Sequence, residues 1–441
     1  MIKKILAGIL ALVSLFSVVA CAPDEPPAEK PDHIGLYAAE DGTLMKDGKA
    51  FYGFGVNYYS MLNCAFSQRW DVSNSLAALE QLAAYDVKVV RFNIAGYASS
   101  DWDYVIKKEE LYFQTLDSLV DKASSLGIGL IPSFFWNQVA LSDYFDEPAG
   151  LALRTRETKT MQFIASFTAK VVSRYAEHPG IYGWEYGNEA GLGSSLPNFM
   201  DFMPQLPATS SRKNRDMDDK INYEDYVNAA KLFAEVVSDN DPYDRIIGSG
   251  DAELRTSAYH LKTSGSWGMD SVAEHEQMLD FVNQDPISAI SYHKYPEGGV
   301  SVTANPSSVP DYLGLYSDWD GFMEYFVAQG KRMKKPVYLG ETGFIYSEAT
   351  AEDKKTSLTT EKILSVIQTI ADAAVKADLP LALFWNYDDR PDYDPNQPND
   401  RSSGTEWSWN ERWDKGKGIL EIIQKANQAF AEKHAESESA Q

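Results

Sequence analysis

Apolar residues along this chain come in short continuous runs, separated by longer stretches where they recur every three or four positions. The short runs are Phe51–Tyr59, Val87–Ile94, Gly129–Phe135, Ile181–Asn188, Arg245–Gly250, Ala289–Tyr295, Pro336–Glu341 and Leu381–Tyr387. Several lack the alternation of a strand with one wet face, which suits parallel strands covered on both sides. Between the runs the period changes. Leu111, Leu116, Leu119, Val120 and Ala123 follow helical spacing, and Gly127 stands where a C-cap belongs. Met161–Tyr175 and Glu361–Ala377 behave alike, and Ile419–His434 follows the eighth run. Eight strand-then-helix units predict a single (β/α)8 barrel. The alternative, an open doubly wound sheet, wants a glycine-rich phosphate loop after its first strand, and none is present.

A barrel of this kind keeps its chemistry at the C-terminal ends of its strands. The polar residues of the runs fall there. Arg91 lies in strand 2, Asn188 and Glu189 end strand 4, His293 and Tyr295 end strand 6, Glu341 ends strand 7 and Trp385 lies in strand 8. Long segments on the same side, Ala190–Asp225, Glu297–Asp318 and Asp388–Asp414, suit substrate-binding loops. Taken singly, these residues have ordinary explanations: a salt-bridged glutamate, a structural arginine, core aromatics. Together at matching strand ends they describe a site. Two carboxyls facing across a cleft are what retaining glycoside hydrolysis needs, one to attack and one to hold a proton for the leaving oxygen. Asn188 offers an amide for a sugar 2-hydroxyl, and Arg91 keeps a neighbouring carboxylate ionised. Tyr295 can hydrogen-bond the nucleophile. Trp385 presents a flat apolar face, and Trp136, just past strand 3, is a further substrate-binding candidate. Glu185 shares strand parity with Glu189, so both turn inward. Glu185 is read as a barrel-interior residue paired with an arginine, since an inward charge without a partner is costly. Bringing Asn188 into the site as well calls for a bulge at the strand end.

The segments Gly183-Trp-Glu-Tyr-Gly-Asn-Glu189, Ser291-Tyr-His-Lys-Tyr-Pro296 and Leu339-Gly-Glu-Thr-Gly-Phe344 resemble glycoside hydrolase family 5 and its clan A relatives. The resemblance runs from about Phe51 to Ile423. It implies a retaining β-glycosidase acting on β-1,4-mannan or β-1,4-glucan, with Glu189 as acid/base and Glu341 as nucleophile. Arg91, Asn188, His293, Tyr295 and Trp385 match supporting positions. Two departures bear on specificity. Strand 3 reads Ser133-Phe-Phe-Trp-Asn137 where many members carry a histidine, and Ala190 follows Asn188-Glu189 where proline is commoner. The opening Phe54-Gly-Val-Asn-Tyr-Tyr59 and the His293-Lys-Tyr-Pro296 segment lean towards the mannanase-like branch. An endo-acting O-glycosyl hydrolase is the expectation. A transglycosylase would use the same two glutamates, and a glycan-binding surface lipoprotein would hold the sugar without cleaving it.

Composition and charge narrow the partners. The 441 residues are 44% hydrophobic and 12% aromatic, enough for a large core. The formal net charge of −24 excludes nucleic acid, which needs a basic face, and leaves uncharged polysaccharides open. Lys3 and Lys4 precede an apolar stretch, Ile5–Ala20, of signal-peptide length. Val18-Val-Ala-Cys21 resembles a bacterial lipobox, so Cys21 is the expected lipidation site and the only membrane attachment. The expected layout is a signal peptide over 1–20, a proline-rich tether over 21–34, the catalytic barrel over 35–436 and a disordered tail over 437–441. That places a monomeric protein on the bacterial cell envelope, facing outward or into the periplasm. Cys64 has no partner histidine nearby in sequence and reads as a packed thiol. No metal or cofactor is expected: the six histidines are scattered, and Asp392-Tyr-Asp394-Pro-Asn396 lacks the glycine of a calcium loop. Trp407, Trp409 and Trp413 either form a sugar platform or pin their loop to the barrel.

Overall fold

The computed structural model describes residues 31–67, 70–296, 308–344, 360–389, 408–412 and 414–439. The expected signal peptide, Cys21 and most of the tether lie outside the described residues, as do the Asp392–Asn396 motif, Trp407 and Trp413. Each of the eight apolar runs contains a strand: β1 (Gly53–Asn57), β2 (Val89–Asn93), β3 (Gly129–Phe135), β4 (Gly183–Gly187), β5 (Ile246–Gly248), β6 (Ile290–His293), β7 (Val337–Thr342) and β8 (Leu381–Phe384). Every residue in them is buried, which is why the runs carry no alternation. All neighbours pair in parallel, in the order β5-β4-β3-β2-β1-β8-β7-β6. The ring closes between β5 and β6 without a ladder. Ser288 and Ala289 N–H both donate to the Ile247 carbonyl, at 3.0 and 3.1 Å, and Ile247 N–H donates to Ser288 Oγ at 2.9 Å. The fold is a (β/α)8 barrel.

The helices begin and end where local chemistry directs. Lys159–Tyr175 starts on Thr158, whose side chain accepts the Met161 N–H at 3.2 Å. Glu109–Ser125 stops at a left-handed Gly127, φ 74°, with Ile128 N–H returning to the Ala123 carbonyl at 3.0 Å. The last helix, Asp414–Ser439, contains the first residues of the expected tail. From it Asn427 reaches β1, accepting Phe54 N–H at 2.6 Å, and so ties the end of the chain to the first strand.

One layer was not anticipated. Three two- or three-residue antiparallel strands, Tyr37–Ala38, Leu44–Lys46 and Lys49–Ala50, precede β1. Leu36 and Leu44 from this segment pack with Val89, Ile131, Ile246, Ala289 and Leu381, sealing the N-terminal floor of the barrel. A floor made this way leaves the other end free for the site.

Candidate active site

Arg91, on β2, is fully buried, and all five of its N–H bonds have acceptors. Nε donates to Glu185 Oε1 at 2.6 Å. Nη1 donates to Glu341 Oε1 at 2.7 Å and to Asn57 Oδ1 at 2.8 Å. Nη2 donates to Asn188 Oδ1 at 3.0 Å and to the Gly187 carbonyl at 3.3 Å. One cation from strand 2 thereby fixes side chains from strands 1, 4 and 7. Glu185 is fully buried and paired with an arginine as expected; its second oxygen accepts the Tyr338 hydroxyl at 2.7 Å.

Glu341 is held from both sides. Besides Arg91 on Oε1, the Tyr295 hydroxyl donates to Oε2 at 3.0 Å. His293 Nδ1 lies 3.5 Å from that oxygen and 3.0 Å from Glu189 Oε1. Burial drives the His293 pKa down to about 4, so the ring is neutral at neutral pH. Its Nε2 has no partner among the described residues, which favours a proton on Nδ1, shared towards the two glutamates. Donor atoms of Glu189, His293 and Glu341 all lie within 4.8 Å of one another. An oxygen of one catalytic candidate is therefore within 4.8 Å of an oxygen of the other.

The two carboxyls differ electrostatically. Burial pushes both pKa values up. Glu341 is pulled back by direct donors, Arg91 and Tyr295, which bond its charged form. Glu189 has 31% of its side chain exposed and no cation bonded to it among the described residues, with the fields of Arg91 and Arg255 opposing burial. Of this coupled pair, Glu341 gives up its proton first and Glu189 keeps one longer.

The parity problem at strand 4 is solved by a turn, not the expected bulge. β4 ends at Gly187, and Glu189 takes a left-handed conformation, φ 51° and ψ 30°. For a residue with a Cβ this costs about 1–3 kcal/mol. Glu189 N–H donates to the Gly250 carbonyl at 2.8 Å, and Leu192 N–H donates to the Glu189 carbonyl at 3.0 Å, which hold the turn. Asp251, beyond β5, secures the next residues by accepting Gly191 N–H at 2.9 Å. A Cβ at Gly191 would stand 2.4 Å from Asp251 Oδ2, so any larger residue must push the Asp251 carboxylate aside. Burial raises the Asp251 pKa to about 6.

An aromatic wall flanks this network. Tyr59, Trp136 and Trp385 have ring centroids 4.9, 5.8 and 6.3 Å apart, and Arg91 lies 4.7 Å from the Trp136 ring. Trp136 is buried beneath the wall, whereas Trp385 and Tyr59 are only part-buried. Trp409 donates from Nε1 to the Trp385 carbonyl at 2.9 Å and is itself buried, so it pins its loop.

The structure brings Arg91, Asn188, Glu189, His293, Tyr295 and Glu341 into one hydrogen-bonded group, with Trp136 and Trp385 beside it. Cys64 is apart from it, a buried thiol against Ser75 whose pKa burial pushes up to about 11. Sequence reasoning missed Asn57, Tyr59 and Asp251. The first two close the run Gly53-Phe-Gly-Val-Asn57-Tyr-Tyr59, and Asp251 directly follows the fifth, so strand-end position was the available signal. A second cation-spaced group, His260, Asp270 and Glu274, shares no residue with this network, and its carboxylates accept helix-start N–H groups of Tyr259, His260 and Ser271.

The family model described as cellulase (glycosyl hydrolase family 5) matches residues 46–376. Comparison with curated protein sequences gives no match. Among solved structures, the endo-1,4-beta-mannanase of Rhizomucor miehei is similar at 16% identity and TM-score 0.57, covering 90% of this chain and 99% of that one. The family 5 mannosidase of the same organism gives 15%, 0.58, 92% and 100%. The endo-beta-1,4-mannanase of Thermotoga petrophila gives 16%, 0.56, 87% and 78%. At such identities the likeness is one of fold.

Proposed function

The chain belongs to glycosyl hydrolase family 5, and from that membership we propose a retaining glycosidase that cleaves β-1,4-linked mannan or glucan by double displacement. The observation that carries this reading is the spacing of Glu189 and Glu341, with oxygens within 4.8 Å. Retaining enzymes hold their carboxyls about 5–5.5 Å apart, whereas inverting ones leave about 6.5–9.5 Å for a water. Glu341 is the nucleophile, because Arg91 and Tyr295 favour its ionised form. Glu189 is the acid/base, because burial without a bonded cation favours its protonated form.

In the first step a Glu341 oxygen attacks the anomeric carbon while Glu189 protonates the glycosidic oxygen, and the leaving sugar departs with that proton. The product is a glycosyl ester on Glu341 and an ionised Glu189. In the second step Glu189 takes a proton from water, the oxygen of that water bonds the anomeric carbon, and Glu341 is released as carboxylate. Asn188, whose Oδ1 accepts from Arg91 Nη2, offers its amide N–H to the 2-hydroxyl of the bound sugar. Trp385 supplies the apolar floor for the reacting sugar.

The decisive measurement is proton NMR of the first-formed anomer on β-1,4-mannohexaose and cellohexaose, with Glu341→Gln and Glu189→Ala assayed in parallel. The β-anomer appears first, and each variant loses at least about 10³-fold in kcat/KM on the oligosaccharide. Initial release of the α-anomer, or full activity in both variants, sinks the proposal.

A further inference from the structure

We propose that the buried ion pair of Lys294 and Glu253 holds Tyr295 on Glu341. This rests on the assignment of Glu341 as nucleophile. The ladder between β6 and β7 ends where His293 pairs with Glu341. Tyr295, whose hydroxyl donates to Glu341 Oε2 at 3.0 Å, stands two residues past that end. Its place is therefore not set by the sheet. Lys294 is the residue between, and its N–H donates to the Glu341 carbonyl at 3.0 Å. While His293 and Tyr295 reach the glutamates, the Lys294 side chain reaches Glu253, pairing through Nζ with Oε2 at 2.6 Å. Glu253 lies beyond β5, and its own N–H donates to the His293 carbonyl at 3.3 Å. The ion pair and these two backbone bonds tie together the ends of strands 5, 6 and 7.

Lys294 is 4% exposed. Its ammonium lies 5.0, 5.5 and 5.6 Å from the ring centroids of Tyr316, Tyr312 and Phe322. The Tyr316 hydroxyl donates to the other Glu253 oxygen. Tyr312 and Tyr316 come from two short antiparallel strands after β6, Ser308–Tyr312 and Tyr316–Asp318, and Phe322 comes from helix Trp319–Met333. Burying two charges costs about as much as their attraction returns, and apolar residues of similar size fill a core as well. What the pair adds is placement. Ammonium and carboxylate must meet, and meeting fixes residue 294 between the two that face the glutamates. Lys294 and Glu253 act through Tyr295, so they are positioning residues.

The test compares wild type, Tyr295→Phe, the paired change Lys294→Met with Glu253→Gln, and all three changes together. Each is assayed on the β-1,4-linked hexasaccharide of mannose or glucose that the wild type cleaves. The paired change strands no charge, so it unfolds in urea at about the wild-type midpoint. It lowers kcat about tenfold with KM within about twofold, because the attacking oxygen is less well placed. The acid limb of its kcat/KM profile moves to higher pH, as in Tyr295→Phe, because Glu341 has lost a donor to its charged form. Added to Tyr295→Phe, the paired change costs less than about twofold more and moves the limb no further. An unmoved acid limb, or a loss that multiplies with that of Tyr295→Phe, makes the pair an ordinary core contact and overturns the proposal, while the two glutamates keep their roles. If the paired variant does not fold, Glu253→Gln alone is read by the same two outcomes. A wild type that cleaves neither hexasaccharide overturns the glycan assignment, and the role of Tyr295 with it.

Discussion

Arg91 divides one positive charge between two buried carboxylates, Glu185 through Nε and Glu341 through Nη1. The division sets how strongly Glu341 is stabilised as an anion. Under the proposed roles, the acid limb of kcat/KM reports ionisation of Glu341 and the alkaline limb loss of the Glu189 proton. Glu185→Gln removes a negative charge while keeping an acceptor for Arg91. Arg91 then serves Glu341 alone, and the Glu341 pKa falls. The acid limb moves to lower pH, and the plateau drops because a better-stabilised carboxylate attacks more slowly. An unmoved acid limb with a lower melting temperature would mean that Glu185 only holds the barrel together. At this scale the sequence was readable where chemistry is asymmetric. An acidic residue ending an apolar run is conspicuous. Asn57 is as deeply involved, yet one amide at a strand end looks like any other polar terminus.

The long segment after β4 is anchored to the segment after β3. Arg215 donates to both oxygens of Asp143, at 2.7 and 2.6 Å, and to Asp219 at 3.1 Å, and Arg212 also pairs with Asp219. All four are largely shielded from water, so the segment is held fixed against its neighbour. Arg215→Met strands the Asp143 charge and costs about 3 kcal/mol in urea unfolding. It also opens the 200–220 stretch to limited proteolysis. A change below about 0.5 kcal/mol with unchanged proteolysis would show the anchor to be idle. The strands and long helices were legible because burial on both faces and helical periodicity leave strong, distinct patterns. The floor strands were not, since two or three residues are too few to show a period. The turn at Glu189 was not either: parity signals that something must break the strand, and a tertiary bond to Gly250 with a local one to Leu192 decides how.

For the whole molecule, acidity is both a help and a load. A net charge of −24 keeps copies apart and strains the folded state, and falling pH relieves that strain. Buried histidine works the other way. His275, on helix Val272–Val282, is buried against Tyr312, and burial lowers its pKa to about 4. Below pH 6.5 the unfolded ring takes up a proton that the folded ring refuses, so this residue subtracts stability as pH falls towards 4. His275→Phe cancels the effect while the general charge is shared by both proteins. Between pH 7.5 and 5 the wild type loses about 2 kcal/mol more than the variant by denaturant titration. Equal losses would place the acid sensitivity elsewhere. The seam between β5 and β6 has a different bearing. The connection between them carries helices Ala258–Ser264 and Val272–Val282 together with Asp251 and Arg255, and it meets strand 6 through Ser288, Ala289 and the Glu253 N–H on the His293 carbonyl at 3.3 Å. With no ladder across the seam, a change of length in the middle of this connection disturbs no strand register there. Descent can lengthen or shorten it while strands 4 and 7, which bring Glu189 and Glu341 to the site, keep their places.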